Sequence, residues 1–524
     1  MLIVVTLLGV GILAGGSALG IDVDVSGGPA PPPRPAPHRQ RHRRQAPATV
    51  LPRAELTIGS QERLTDIPRS FLGFSTEYWT LPVDERHIML YRRVIGLVHV
   101  PGDGRFVLRI GGDSSDHALW EPAVHDLPHW AFALTPRWIA RTARVVRASG
   151  LRVIIDLNFI TGTPRLAAAW ARQAERELPP HSIMGFEVGN EPDLYVRTLW
   201  TLQLGHGLAA GLLPRAITPS TYAGAYRAYE RSLAAVAPKV PLLAPALALP
   251  RRDRVWIEAL LRSPHPNLGT VSVHVYPYTA CATPGASNYP TVARILSERA
   301  ATVMASAVAP AVALAHQAGL PVRVTEFNSV SCEGRAGVSN AFATALWAPD
   351  ALFELAGAGV TAADLHVRGF SINAPFHFTA RAIRARPLLY GLILFTRMLG
   401  PDSRLVPLRT QGALSTDLTA WAVRHAGGAL NVLLIDRGKR SVRVILRLPS
   451  DGAATVQRLV APTPSSTSGV TLDGQHLDSN ARWKGSRTTQ TVEPSDGRYV
   501  VVVRHYSAAL VSVRVGSDTL IGSP

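Results

Sequence analysis

One pattern constrains this chain more than any other: a short β-branched run, polar residues at its end, then an Ala/Leu-rich helical stretch, repeated from about residue 70. The runs are FLGFSTEYW, RFVLRIGGDS, LRVIIDLNF, SIMGFEVGNE, PLLAPALA, TVSVHVYPY, PVRVTEFNS and AADLHVRGF. Eight such units over roughly 300 residues predict a parallel (β/α)₈ barrel, because buried parallel strands read as near-continuous apolar runs. The intervening segments are helical; TPRWIARTARVVRASG has apolar positions three and four apart and Gly150 at its end. After about residue 388 the runs alternate instead (AWAVRHA, ALNVLLIDR, SVRVILRL, YVVVVRHYSAALVSVRV) between Gly, Ser and Asp, which predicts an antiparallel β-sandwich. The fold class expected is therefore α/β: a barrel over 71–387 and a sandwich over 388–524. The strand-like segment 51–70 is expected to pair with the sandwich.

The N-terminus reads differently. Residues 1–20, MLIVVTLLGVGILAGGSALG, form an apolar core ending in small residues, as an export signal does, but no Lys or Arg precedes it. A cleaved signal or a retained anchor both fit, and either makes the protein secreted or held outside the cell. Residues 21–50 are rich in Pro and Arg and read as an extended linker. This is the only long apolar stretch, so no multi-pass membrane protein is expected. A net charge of +17 invites a polyanion reading. Lysine, however, occurs only at Lys239, Lys439 and Lys484 and clusters nowhere, so no nucleic-acid partner is expected. Two cysteines, Cys281 and Cys332, lack metal-ligand spacing. In an exported chain they predict one disulfide joining the loops after strands six and seven; two separate buried thiols are the alternative. No metal and no cofactor is called for: there is no G-x-G-x-x-G, G-K-[ST], G-x-S-x-G or H-E-x-x-H string.

Barrels of this kind do chemistry at the C-terminal ends of their strands. The fourth run ends Gly189-Asn190-Glu191-Pro192 and the seventh Thr325-Glu326-Phe327-Asn328. A glutamate on each of two strands facing one mouth supplies the pair that glycoside hydrolysis needs, one to donate a proton and one to attack the anomeric carbon. The alternative is a pair of rim carboxylates held in ion pairs.

The motifs LRIGGDSSD, GFEVGNEPD, VSVHVYPY, VTEFNSVSC and GVSNAFATALWAPDALFELAGAGV, in this order, resemble glycoside hydrolase family 79, a family of β-glucuronidases and endo-acting heparanases. The resemblance covers roughly residues 55 to 520. It implies that Glu191 is the general acid/base, Glu326 the nucleophile and Asn190 the partner of the sugar 2-hydroxyl. It further implies that Tyr276 touches the nucleophile, with His274 on the same strand face, and that Arg109 keeps Glu326 ionised. Glu77 and Asp116 fall where the family contacts sugar hydroxyls; rim ion pairs are their other reading. The loop after the nucleophile, which in the family receives the uronate carboxylate on backbone N–H groups, reads Ser331-Cys332-Glu333-Gly334-Arg335, with Glu333 in place of a glycine. The implied function is hydrolysis of β-glucuronides in glycans by a retaining mechanism. A neutral-sugar glycosidase, which Glu333 favours, and a non-catalytic carbohydrate-binding protein are the alternatives.

Overall fold

The computed structural model describes residues 51–58, 64–120, 131–195, 217–411 and 417–515. The apolar N-terminal stretch and the Pro/Arg-rich segment lie outside them. Eight parallel strands close a barrel in simple sequence order: Leu72–Glu77, Val107–Gly111, Arg152–Leu157, Ile183–Val188, Leu242–Leu247, Leu268–Val275, Val322–Phe327 and Ala362–His366. They are the eight runs read from the sequence. The eighth strand returns to the first through Ala363 opposite Leu72 and His366 opposite Ser75. Helices wrap the ring where the sequence supplies start and stop signals. Pro136–Ser149 begins with Thr135, whose hydroxyl accepts the Trp138 N–H, and ends at Gly150 in the left-handed region, φ 64°. Pro164–Glu177 and Pro219–Ala234 repeat the Thr-Pro start.

The barrel's last helix is Pro387–Met398, and the next strand after it, in the β domain, begins at Arg404. The boundary expected at residue 388 therefore falls at this helix's first turn. The segment LLYGLILF is buried on every side, so it carries no helical periodicity to distinguish it from strand.

The β domain packs two sheets. The smaller one orders Leu408–Gln411, Arg53–Ile58, Val442–Arg447 and Arg498–Val503. Its first and third members in sequence, Arg53–Ile58 and Val442–Arg447, run parallel, so the domain is not wholly antiparallel. The larger sheet centres on Leu418–His425, Ala429–Asp436, Ser507–Arg514 and Ala454–Val460. Leu56, Val432, Leu434, Val444, Leu446, Tyr499 and Val501 fill the space between the sheets. On the larger sheet's other face Val423, Leu433, Ile435 and Leu510 join the barrel's own core. Ala429–Asp436 is thus buried on both faces, which explains a run of apolar residues interrupted only by Asn431 before Asp436. Arg437 and Trp421 of the β domain both bond Asp350 on the barrel helix Ala343–Gly357. Those bonds clamp the domain to the helix that follows the seventh strand.

Candidate active site

The polar ends of the barrel strands converge on Arg109, a fully buried guanidinium on the second strand. Its Nη1 donates to Glu326 Oε2 at 2.9 Å. Its Nη2 donates to Asn190 Oδ1 at 3.0 Å and to Asp156 Oδ2 at 2.9 Å, and its Nε to Glu187 at 2.7 Å. One cation is thus fixed by four strand-end partners, the fork geometry that arginine alone supplies. The two glycines after Arg109 make room for this convergence. Gly112 has φ 68°, and a Cβ there would lie 2.7 Å from Glu77 Oε1.

Glu326 ends the seventh strand and is 8% exposed. Tyr276 donates its phenol to Oε1 at 2.8 Å, and His366 Nδ1 stands 3.2 Å from Oε2. Burial alone would raise its pKa; His366, His274, Arg109 and the Tyr276 phenol outweigh that and bring it to about 2. Glu191 follows the fourth strand with φ 50°, a left-handed conformation that costs a glutamate on the order of 1 kcal/mol or more. Its neighbour Asp193 pins the turn by accepting the N–H groups of Ala248 and Leu249, both at 3.0 Å, at the end of the fifth strand. Among the described residues the Glu191 carboxyl bonds His274 Nδ1, at 2.9 Å. Burial and the nearby charge of Glu326 raise its pKa to about 8. His274 is itself driven down to about 4 by burial, so its ring brings no compensating charge at neutral pH. One oxygen of Glu191, one of Glu326 and a ring nitrogen of His274 all lie within 4.8 Å of one another. That cluster has the composition of a cation site. Both Glu326 oxygens, however, already take donors from Tyr276 and Arg109, and an added cation would sit beside the guanidinium.

The remaining sequence-derived residues divide into three settings. Glu77 is buried at the end of the first strand; it accepts the Ser114 N–H at 2.7 Å and faces His366 and Arg368 at 3.4 and 3.3 Å. Its pKa, raised by burial, ends below the ordinary value because His366 and Arg368 prevail. Asp116 is fully buried rather than on the rim. It accepts the Tyr195 hydroxyl at 2.8 Å, which in turn receives the Asn190 N–H at 3.3 Å, so Asp116 reaches the site through Asn190. Burial raises its pKa well above the ordinary value. Cys332 and Glu333 have φ 55° and 64° and form the centre of a tight turn closed by the Gly334 N–H on the Ser331 carbonyl at 3.3 Å. Such a turn favours glycine at its second central position, where this chain has Glu333. The Glu333 side chain is 68% exposed, with Arg368 at 3.7 Å. Gly334 cannot be enlarged, because a Cβ would meet Ser339 and Asn373 at 2.7 and 2.8 Å. Cys281 and Cys332 are joined in the expected disulfide, beside a short parallel pairing of Tyr278–Thr279 with Val330–Ser331.

Four residues of this constellation lie outside the set that the sequence points to: Asp156, Glu187, His366 and Arg368. A signal for His366 is present, since it is the polar residue that ends the eighth run, AADLHVRGF. Arg368 follows it and reaches Glu77, Asp113 and Glu333, at 3.3, 3.6 and 3.7 Å.

Comparison with known proteins agrees with this architecture. A family model described as the glycosyl hydrolase family 79 C-terminal beta domain matches residues 417–510. A β-glucuronidase of Aspergillus niger is 25% identical over 225 residues, which span 37% of this chain and 41% of that protein. Among solved structures, a 4-O-α-L-rhamnosyl-β-D-glucuronidase from Fusarium oxysporum 12S superposes with a TM-score of 0.71 at 16% identity, covering 88% of this chain and all of that one. A family 51 α-L-arabinofuranosidase from Thermotoga petrophila shares the fold at a TM-score of 0.63 and 17% identity, over 88% of this chain and 100% of its own. In its β domain by the family model, and along the chain by its motifs, the protein is similar to glycoside hydrolase family 79, and the matched segment spans less than half the length of the β-glucuronidase it resembles.

Proposed function

We propose that this protein is a retaining β-glucuronidase. The observation that carries the reading is the split between two neighbouring buried carboxyls: Glu191 is raised to about 8 and Glu326 lowered to about 2, with oxygens of the two within 4.8 Å. A retaining glycosidase needs its carboxyl groups ~5–5.5 Å apart, and it needs one protonated and one ionised. Glu326 attacks the anomeric carbon as the bond to the leaving oxygen breaks, and the proton of Glu191 passes to that oxygen. Glu191, now ionised, takes a proton from water, which attacks the same carbon and releases Glu326. Arg109 holds Asn190 by its Oδ1, so the amide N–H₂ is oriented to donate to the sugar 2-hydroxyl.

The sugar assignment rests on the loop after the nucleophile. The neutral-sugar alternative needs Glu333 turned into the pocket; its exposed side chain beside Arg368 favours the glucuronide. The disulfide and the apolar N-terminal stretch support export from the cell.

Chromogenic β-glycosides test this directly. The glucuronide should be hydrolysed faster than the matching glucoside, and the reverse would refute the sugar assignment. Glu326→Gln should lose turnover on every substrate. Glu191→Gln should lose most on poor leaving groups and regain turnover with azide; equal loss on good and poor leaving groups would reject the acid/base role.

A further inference from the structure

We propose that His366 is a positioning residue for the nucleophile, a buried imidazolium that bridges Glu326 to Glu77. The inference deepens the glycosidase reading and rests on it.

The geometry is specific. His366 ends the eighth strand, directly opposite Ser75 of the first. Its Nδ1 stands 3.2 Å from Glu326 Oε2 and its Nε2 3.4 Å from Glu77 Oε1. A neutral imidazole has one N–H and one lone pair, so either tautomer would aim a lone pair at a buried carboxylate; only the doubly protonated ring suits both sides. Glu77 supplies a second, independent reason. Its Oε1 is buried and takes no hydrogen bond of good geometry, so compensation falls to the charges beside it, His366 and Arg368. The groups within reach of the ring nitrogens are acceptors. Glu326 lies on the seventh strand and Glu77 on the first, whose Ser75 hydroxyl is 3.3 Å from Nδ1. The cations Arg109, which grips Glu326 from the second strand, and Arg368, on the ring's own loop, oppose it, and burial opposes it too. Glu326 and Glu77 prevail and hold the ring above its ordinary range. Glu191 and His274 complete the surrounding charges, the first protonated and the second neutral at pH 6.

The bridge has a consequence for the reaction. It links the attacking carboxylate to Glu77, which sits where a sugar hydroxyl is expected, so substrate placement and nucleophile ionisation share one side chain. It also makes the charge of His366 part of what keeps Glu326 ionised while Glu191 stays protonated. Its loss should therefore move both ends of the pH profile upward.

Two substitutions separate charge from packing. His366→Asn places an amide N–H near the Nδ1 position, and His366→Gln places one near Nε2; both remove the charge. The expected result on a chromogenic glucuronide is a kcat at least tenfold lower in each. The acid and alkaline limbs of kcat/KM should both shift up by about one pH unit or more. Lower kcat with both limbs unmoved would mean a structural role only and overturn the proposal. Should either variant fail to fold, neutron diffraction from the intact wild-type protein at pH 6 decides the same question: deuterium on both ring nitrogens is expected, and one bare nitrogen overturns the inference. A wild-type protein that cleaves no glycoside would refute the glycosidase reading instead, and the neutron result would still decide the state of His366.

Discussion

Replacing Glu191 by glutamine should destroy the acid/base function and yet make the protein more stable at neutral pH. The carboxyl titrates at about 8 in the folded protein against an ordinary value of 4.5, raised by burial and by the charge of Glu326. Below pH 4.5 the group is protonated in both folded and unfolded states and costs nothing. Between 4.5 and 8 only the unfolded chain releases the proton, so stability falls by about 1.36 kcal/mol for each pH unit. By pH 7 the accumulated cost is about 3 kcal/mol. Glutamine carries no such cost and can still accept from His274 Nδ1, which lies 2.9 Å from Glu191. A folded unit of about 470 residues, Leu51–Pro524, has an unfolding entropy near 1 kcal/mol/K, so Tm should rise by about 3 °C at pH 7 and by almost nothing at pH 4.5. Calorimetry of the two proteins across this pH range is the assay. A gain equal at both pH values would place the effect in packing rather than in the proton, and a lower Tm at pH 7 would refute the reasoning altogether.

Three further outcomes follow from the same geometry. In the wild-type protein kcat/KM should fall above a pH of about 8 as Glu191 loses its proton, and pH–rate profiles of Glu191→Gln should lack that limb. Glu333→Gly relaxes a left-handed residue, so it should add about 1 kcal/mol in urea unfolding without lowering the ratio of glucuronide to glucoside turnover; a lower ratio would mean that the Glu333 side chain contacts the sugar. Cys332→Ser opens a loop with a separation of 51 residues and should cost up to about 4 kcal/mol by chain entropy, while leaving the Glu191 and Glu326 assignments intact in leaving-group kinetics.

The legibility of this chain follows the physics of burial. The eight barrel strands can be read because parallel strands covered on both faces become β-branched runs, and the two glutamates because each ends such a run with a charge. The helix Pro387–Met398 reads as part of the sandwich because a helix buried all round has no polar face to give it a period. The parallel pairing of Arg53–Ile58 with Val442–Arg447 has no local signature at all, since it joins strands on either side of the whole barrel in the sequence. His366 ends the eighth run and Asp156 lies within the third, yet the sequence does not say what either touches. A motif picks out the residues that react, whereas these two act by being near them, and proximity across a barrel is a property of register that no single run contains.

What separates the two catalytic candidates is their partners and not their depth. Glu191 and Glu326 are both buried, and burial raises both. Glu326 is met by a guanidinium from the second strand, a phenol that follows the sixth and an imidazole from the eighth. Among the described residues Glu191 is met by one imidazole that burial keeps neutral. A single Coulomb contact in so dry a place outweighs several in water, so a few donors are enough to assign opposite protonation states to neighbours within 4.8 Å. The assignment is therefore distributed over strands that a loop insertion cannot reach. In the glucuronidase reading proposed above, sugar selection falls instead to the exposed turn at Glu333 and to Arg368, outside the closed ring. The pair of carboxyls and the turn at Glu333 thus occupy separate parts of the fold, and only the turn departs from the pattern that the resemblance implies, at Glu333.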